Sequence, residues 1–419
     1  MERRNRISTW VFVLSDSRAR VAFFQRFFAH YQAGLVRELA EDSDNAFHFF
    51  GDDRDPMGSG IEPMPATLTD AVQFHSCRTV HVGRKLAFQW RAVREALFSS
   101  YDVFIFEGSW TIATNWLAIP LARVRGKRAL LYTHGWLQPE TELKGRIRDF
   151  FYRLSDGLVL YGSRAQAIGV ARGFPRERLY VAYNAVDERV SPKPSLTATT
   201  GSRGEFRRVW FGDAADRPMI VSVGRLTAAK KYSLLLRAAK LLSDGGTQVN
   251  VLLVGDGPER RPLEELARRL DVRLIFAGSH YEEDFLSAAL QSANVTVIPG
   301  AAGLTVIHSL SHGTPVIVHD EPNEQMPESE AIKDGVNGAF FRNGNAEDLA
   351  RAIKRSLELF PKTQEVADLC RVAVETAYNP REMRLVFDSA IAGRPSTLCI
   401  PLSGGNKPGH LTPFPTEGG

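Results

Sequence analysis

The sequence predicts an α/β protein made of two doubly wound parallel sheets. Three observations carry that expectation. Short runs rich in Val, Ile, Leu and Phe recur along the chain, with helix-length segments between them, as in sheets covered on both faces. The alternation dissolves from Glu188 into "ERVSPKPSLTATTGSRGEF", rich in Ser, Thr, Pro and Gly, and restarts at Met219. The length of 419 residues provides for two domains of ordinary size.

In the first half, "RVAFFQRF" (20–27), "AFHFFGD" (46–52) and "YDVFIFEG" (101–108) read as strands, followed by "RALLYTHG" (128–135), "GLVLYGS" (157–163) and "RLYVAYN" (178–184). "YQAGLVRELAE" (31–41) and "RAQAIGVARG" (164–173) read as helices between them. The second half repeats the pattern with "MIVSVGRL" (219–226), "VNVLLVGDGP" (249–258) and "VRLIFAG" (272–278), then "NVTVIPG" (294–300) and "TPVIVHD" (314–320). After Arg394 the chain carries Pro and Gly without periodicity and reads as a disordered tail. Two such halves face one another across a cleft at the carboxyl ends of their strands, where open α/β sheets take ligands.

Composition narrows the function classes. A net charge of +4 does not by itself indicate a nucleic-acid partner, and 24% charged with 44% hydrophobic residues is ordinary for a globular chain. Cys77, Cys370 and Cys399 lie far apart and read as reduced thiols. The basic start "MERRNR" leads into an apolar run that stops at Ser15 and Asp16, with no cleavage site of small residues, so export is not expected. No run approaches the roughly 18 apolar residues of a spanning helix. A cytoplasmic protein is expected, with the inner membrane face as a further option because "KGRIRDFFYR" (144–153) interleaves charge with Ile147, Phe150 and Phe151. A plain amphipathic helix gives the same pattern.

Two turns bear on chemistry. In "VIPGAAGLTVIHSLSHGTPVIVHD" (297–320) a glycine-bearing turn leads from a buried strand into a helix of about nine residues starting near Leu304. Free N–H groups and the positive end of a helix favour an anion, although every strand–helix unit needs such a turn. In "VGRLTAAKK" (223–231) Arg225 ends a strand and Lys230 opens the next helix. A guanidinium fork and an ammonium point charge suit phosphate oxygens, and surface Arg and Lys are common for other reasons.

Taken in order, "SVGRLTAAKK", "VLLVGDGPERRPLEELARRL", "VRLIFAGSHYEEDFLSAALQSANVTVIPG", "GLTVIHSLSHGTPVI" and "GVNGAFF" resemble the C-terminal domain of family 4 glycosyltransferases of the GT-B fold. "YTHGW" is similar to the family's histidine loop, and "NPREMRLVFDSAI" (379–391) to its closing helix. The resemblance implies an acceptor domain at 20–187 after an extension at 1–19, a linker at 188–218, a nucleotide-sugar domain at 219–378, a helix at 379–393 returning to the first domain, and the tail at 394–419. It implies transfer of a sugar from a nucleotide diphosphate donor, with retention, to a glycan or lipid-linked glycan. Gly224, Arg225, Lys230, Gly303, Leu304 and Thr305 match the donor-binding positions, and His134 a histidine beside the donor sugar. No cofactor and no metal are expected.

The departure lies in the family's paired glutamates, whose places fall on Gly300 and His308. Neutral His308 accepts a ribose hydrogen bond through a ring nitrogen, while Gly300 offers only backbone. "QMPESEAI" follows, and Glu330 aligns with a loop glutamate that replaces part of the missing contacts, or is a solvated loop carboxylate. Glu107 either touches an acceptor hydroxyl or caps the following helix, and His30 and Tyr31, early in a helix, shape the acceptor site. His308, His312 and His319 are close in sequence without a carboxylate partner in the spacing, unlike a zinc site. A non-catalytic nucleotide-sugar binder and a nucleotide-sugar epimerase are the rival readings.

Overall fold

The computed structural model describes residues 18–395 except 57, 59, 60, 84, 85, 138–141 and 187–195. Most of the expected extension and tail, Cys399 among them, lies outside the described residues. In the first half run β1 (Arg20–Phe27), β2 (Ala46–Asp52), β3 (Phe74–Ser76), the antiparallel pair β4 (Val80–Val82) and β5 (Leu86–Phe88), β6 (Val103–Glu107), β7 (Arg128–Thr133), β8 (Gly157–Leu160) and β9 (Leu179–Val181). Seven of them form a parallel sheet in the order β3-β2-β1-β6-β7-β8-β9.

The second half runs β10 (Met219–Val223), β11 (Asn250–Val254), β12 (Leu274–Gly278), β13 (Val295–Ile298), β14 (Val316–His319) and β15 (Gly338–Phe341). They form a second parallel sheet, β12-β11-β10-β13-β14-β15. That is the doubly wound Rossmann order, and the strand order reverses between β10 and β13. The two turns singled out in the sequence follow those two strands.

The strands form where apolar residues run without interruption. In β1, Phe23 packs with Phe49, Tyr132 and Phe387 on one face, while Phe24 packs with Phe50 and Phe106 on the other. Successive residues of a strand point to opposite faces, so an unbroken run is what two covered faces require. Each fully buried Phe contributes roughly 1.5–3 kcal/mol. Phe387 belongs to the helix Pro380–Ala392, which lies on the first sheet although it follows the second, with Arg128 Nε donating to the Ala390 carbonyl at 2.8 Å.

One expectation is corrected. The segment read as an irregular linker contains a helix, Leu196–Phe211. Phe206 and Trp210, one helical turn apart, pack against Phe285, and Phe211 is buried under the second sheet. The Ser/Thr/Gly content obscured a periodicity that is confined to the last turns. Cys77 and Cys370 are buried free thiols, and burial raises both to about 12, as suits inert core cysteines. Among the described residues no helix is long and apolar enough to cross a membrane.

Candidate functional site

The crevice between the sheets gathers most of the predicted residues, and the β10 turn forms one wall. Gly224 has φ +148°, outside the range side chains favour, and a Cβ on Gly255 would overlap the Gly224 carbonyl oxygen. Only glycines let these two turns meet. Arg225 follows, exposed at the strand end, and Ala228–Lys230 form a single 3-10 turn. Lys230 Nζ donates to the Ala301 carbonyl at 2.7 Å. Burial holds its ammonium below the ordinary lysine range, while the Glu328 carboxylate opposes that shift.

The β13 turn lies against it. A Cβ on Gly303 meets no atom within 4 Å, so this turn borders open space. Gly300 is the opposite case: a Cβ there would overlap the Ala229 carbonyl oxygen and lie 2.8 Å from Lys230 Cα. The 228–230 turn sits on Gly300, so the first glutamate position of the resemblance has no room for a side chain. The helix after Leu304 spans Thr305–Ser311, seven residues rather than about nine. Thr305 Oγ1 donates to the Val223 carbonyl at 3.3 Å and the Ala302 amide to Gln325 Oε1 at 2.9 Å, so part of the turn's donor capacity is used internally.

Glu330 is corrected. Its carboxylate accepts from the Ser163 amide and hydroxyl, both at 2.7 Å, and from the Arg164 amide at 3.1 Å. It caps the first turn of the helix Ser163–Ala171 from the other half of the chain, satisfying donors that a helix start leaves open. A Cβ on Gly162 would overlap it, which gives that glycine its reason. Arg164 adds a bond to Asn323 Oδ1 at 2.6 Å across the same junction. Glu330 thus joins the two halves, with three of its acceptor positions filled by the protein.

The residue the sequence reading missed is Glu328. It is 3% exposed, its Oε1 accepts from Asn184 Nδ2 at 2.8 Å, and its Oε2 has no partner among the described residues. Burial raises its pKa. Its charge reaches Lys230, Tyr31 and Tyr132, so it lies where the two halves meet. No spacing rule separates Glu328 from Glu330; only the fold does.

On the first-half side, the His134 ring stacks on Tyr161 at 4.1 Å, and burial pushes its pKa down to about 4, partly offset by Glu107. It is a neutral imidazole at the end of β7. Glu107 neither caps a helix nor stands free: it accepts from the Arg26 amide at 2.9 Å and from Arg26 Nε at 2.7 Å. His30 and Tyr31 lie in a 3-10 turn, His30–Gln32, and the His30 ring meets Tyr281 of the second half edge-on at 6.4 Å.

The histidine cluster is corrected too. His308 and His312 have a carboxylate partner, Glu283, whose Oε1 lies 3.0 Å from His308 Nε2 and 2.9 Å from His312 Nε2. It comes from the helix Glu283–Ser292, too far along the chain for spacing to reveal. His319 stands apart in β14, with Nδ1 accepting from the Glu321 amide at 3.3 Å.

Residues 207–368, the β10–β15 half, match the family described as "Glycosyl transferases group 1". The chain is 34% identical over 165 residues to a glycogen synthase of Edwardsiella ictaluri, covering 35% of this chain and 32% of that one. It is 27% identical over 190 residues to an alpha-D-kanosaminyltransferase of Streptomyces kanamyceticus, covering 44% and 46%. The chain thus spans less than half the length of these relatives. The crystal structure of Anabaena HepE in complex with UDP superposes with a TM-score of 0.65 at 16% identity, covering 87% of this chain and 97% of that one. The architecture is that of the GT-B glycosyltransferases, as expected from the sequence.

Proposed function

We propose that the protein is a glycosyltransferase that moves a sugar from a nucleotide diphosphate donor to a glycan or lipid-linked glycan, with retention at the anomeric carbon. The observation that supports this most is the Glu328 carboxylate oxygen left without a partner among the described residues, within electrostatic reach of Lys230 at the open Gly303 turn. The matched family over 207–368 and the UDP bound by a protein of the same fold agree with it.

In this reading Lys230 and Arg225 neutralise the departing diphosphate, with the backbone of Gly224, Gly303, Leu304 and Thr305 lining its path. Fixed cations aimed at developing charge lower the barrier without reorganising when the bond breaks. Transfer of this kind needs no metal at the diphosphate. Glu328 Oε2 accepts from a hydroxyl of the donor sugar, a contact that Gly300 cannot make. His308 contacts the ribose: with Nε2–H directed to Glu283, its Nδ1 lone pair accepts a hydroxyl. Neutral His134 donates to or accepts from the sugar on the opposite wall. The exposed Leu143 and Phe150 on the basic helix Glu142–Arg153 suit peripheral contact with a lipid-linked acceptor at a membrane face.

The test is thermal stability of the full chain against UDP, GDP and ADP and their sugars. Binding to the folded state alone raises stability by mass action. We expect one nucleotide series to shift the transition and Lys230→Ala to remove the shift. No shift with any series would favour a fold that has lost its donor site, and interconversion of nucleotide sugars without acceptor would make it an epimerase.

A further inference from the structure

We infer that Glu283, His308 and His312 form a binding site for a transition-metal dication, with zinc the natural probe. His308 and His312 are one helical turn apart at the end of the helix Thr305–Ser311, with ring centroids 4.9 Å apart. Glu283 opens the neighbouring helix and brings Oε1 to 3.0 and 2.9 Å from the two Nε2 atoms. The three ligand atoms lie within 4.8 Å of one another. Two imidazole nitrogens and one carboxylate oxygen converging from two helices are a donor set for zinc and the other late first-row dications, and three protein ligands leave a position open.

The surroundings are built for it. The His312 side chain is 1% exposed, while His308 and Glu283 keep an open side for entry. Ser287 Oγ, held by Gln291 Nε2 at 2.7 Å, lies 3.4 Å from His312 Nδ1. It accepts a hydrogen bond from Nδ1–H when Nε2 is a ligand and so orients the ring, while Gln291 Nε2, also 3.4 Å from Nδ1, is a donor that suits the metal-free tautomer. The Arg371 guanidinium is the nearby cation, and it is neutralised by Asp368 at 3.1 Å and bonded to the Ser311 carbonyl at 3.3 Å. The site shares His308 with the ribose contact proposed above. A metal on Nε2 puts the proton on Nδ1, which then donates to the hydroxyl instead of accepting from it. The metal site does not rest on the proposed transfer reaction.

The experiment uses the untagged full chain, stripped with chelator and titrated with Zn2+ by calorimetry and with Co2+ by visible absorption, without nucleotide. Wild type takes one equivalent, and Glu283→Gln and His308→Ala each weaken binding by about tenfold or more and remove the Co2+ ligand-field bands. His308 is partly exposed, so its variant keeps the test valid if Glu283→Gln disturbs packing; circular dichroism checks both. No stoichiometric binding to wild type, or unchanged binding in the folded variants, overturns the site and leaves a hydrogen-bonded triad.

Discussion

Glu328 and Glu330 stand two residues apart in one 3-10 turn, Pro327–Ala331, and meet opposite fates. Glu328 is buried and Glu330 partly so, and both have raised pKa values because burial penalises the charge. Glu330 accepts three hydrogen bonds from one helix start, while Glu328 accepts one from Asn184 and leaves an oxygen unpartnered among the described residues. A carboxylate with every partner supplied by the protein is architecture. One with a partner missing, within electrostatic reach of a half-buried lysine, is where a ligand fits.

The largest effect is expected on the cation that faces Glu328. Lys230→Ala removes the half-buried ammonium that answers the diphosphate, and kcat should fall about a hundredfold or more, as for loss of a preorganised charge stabiliser. Full activity in this variant would remove the site from the β10 turn. Adding Mg2+ or Mn2+ to chelated wild type should not raise its rate.

Glu330→Ala comes next and should act on stability. It leaves the Ser163 and Arg164 amides without their acceptor, at a cost of about 2 kcal/mol in denaturant unfolding. An unchanged midpoint would mean that water replaces the carboxylate and that the junction does not depend on it.

Glu328→Gln should do the reverse. Its raised pKa means that the folded state holds a proton more tightly than the unfolded one, so this group's contribution weakens as pH climbs above the ordinary glutamate value. Glutamine keeps the Asn184 contact and removes that liability. The variant should unfold at a higher temperature near pH 7 while kcat drops by about tenfold, one hydrogen bond to a charged group being worth about that. A loss of both stability and activity would make Glu328 architecture, like its neighbour.

Much of this was legible beforehand, because β1, β10 and β13 are short, mainly apolar runs bounded by turn residues and alternating with helix-length segments. Gly224, Arg225, Lys230 and Gly303 were legible as turns at strand ends. Glu328 was not: it and Glu330 are equally spaced from everything that matters, and only the approach of the Ser163 helix separates them. Glu283 was hidden for the same reason, being 25 residues from His308. The helix Leu196–Phe211 was missed because its sequence opens with a Ser/Thr-rich stretch and its large apolar residues Phe206, Trp210 and Phe211 come late.

The smallest effect concerns His134, on the wall opposite Glu328. Burial holds its folded-state value at about 4, below an ordinary imidazole at about 6.5. The unfolded chain therefore binds a proton that the folded protein refuses. This group's contribution is fully present above about pH 6.5 and is lost as pH falls toward 4. His48, His75, His312 and His319 are depressed in the same direction, so wild type weakens through this window for several reasons. Replacing His134 alone isolates its share: His134→Asn should lose less stability than wild type between pH 7 and pH 5 in urea unfolding. Equal losses would mean that the ring is reached by water and charges as an ordinary imidazole, so that below about pH 6.5 it would meet the donor sugar as a cation rather than as the neutral partner proposed above.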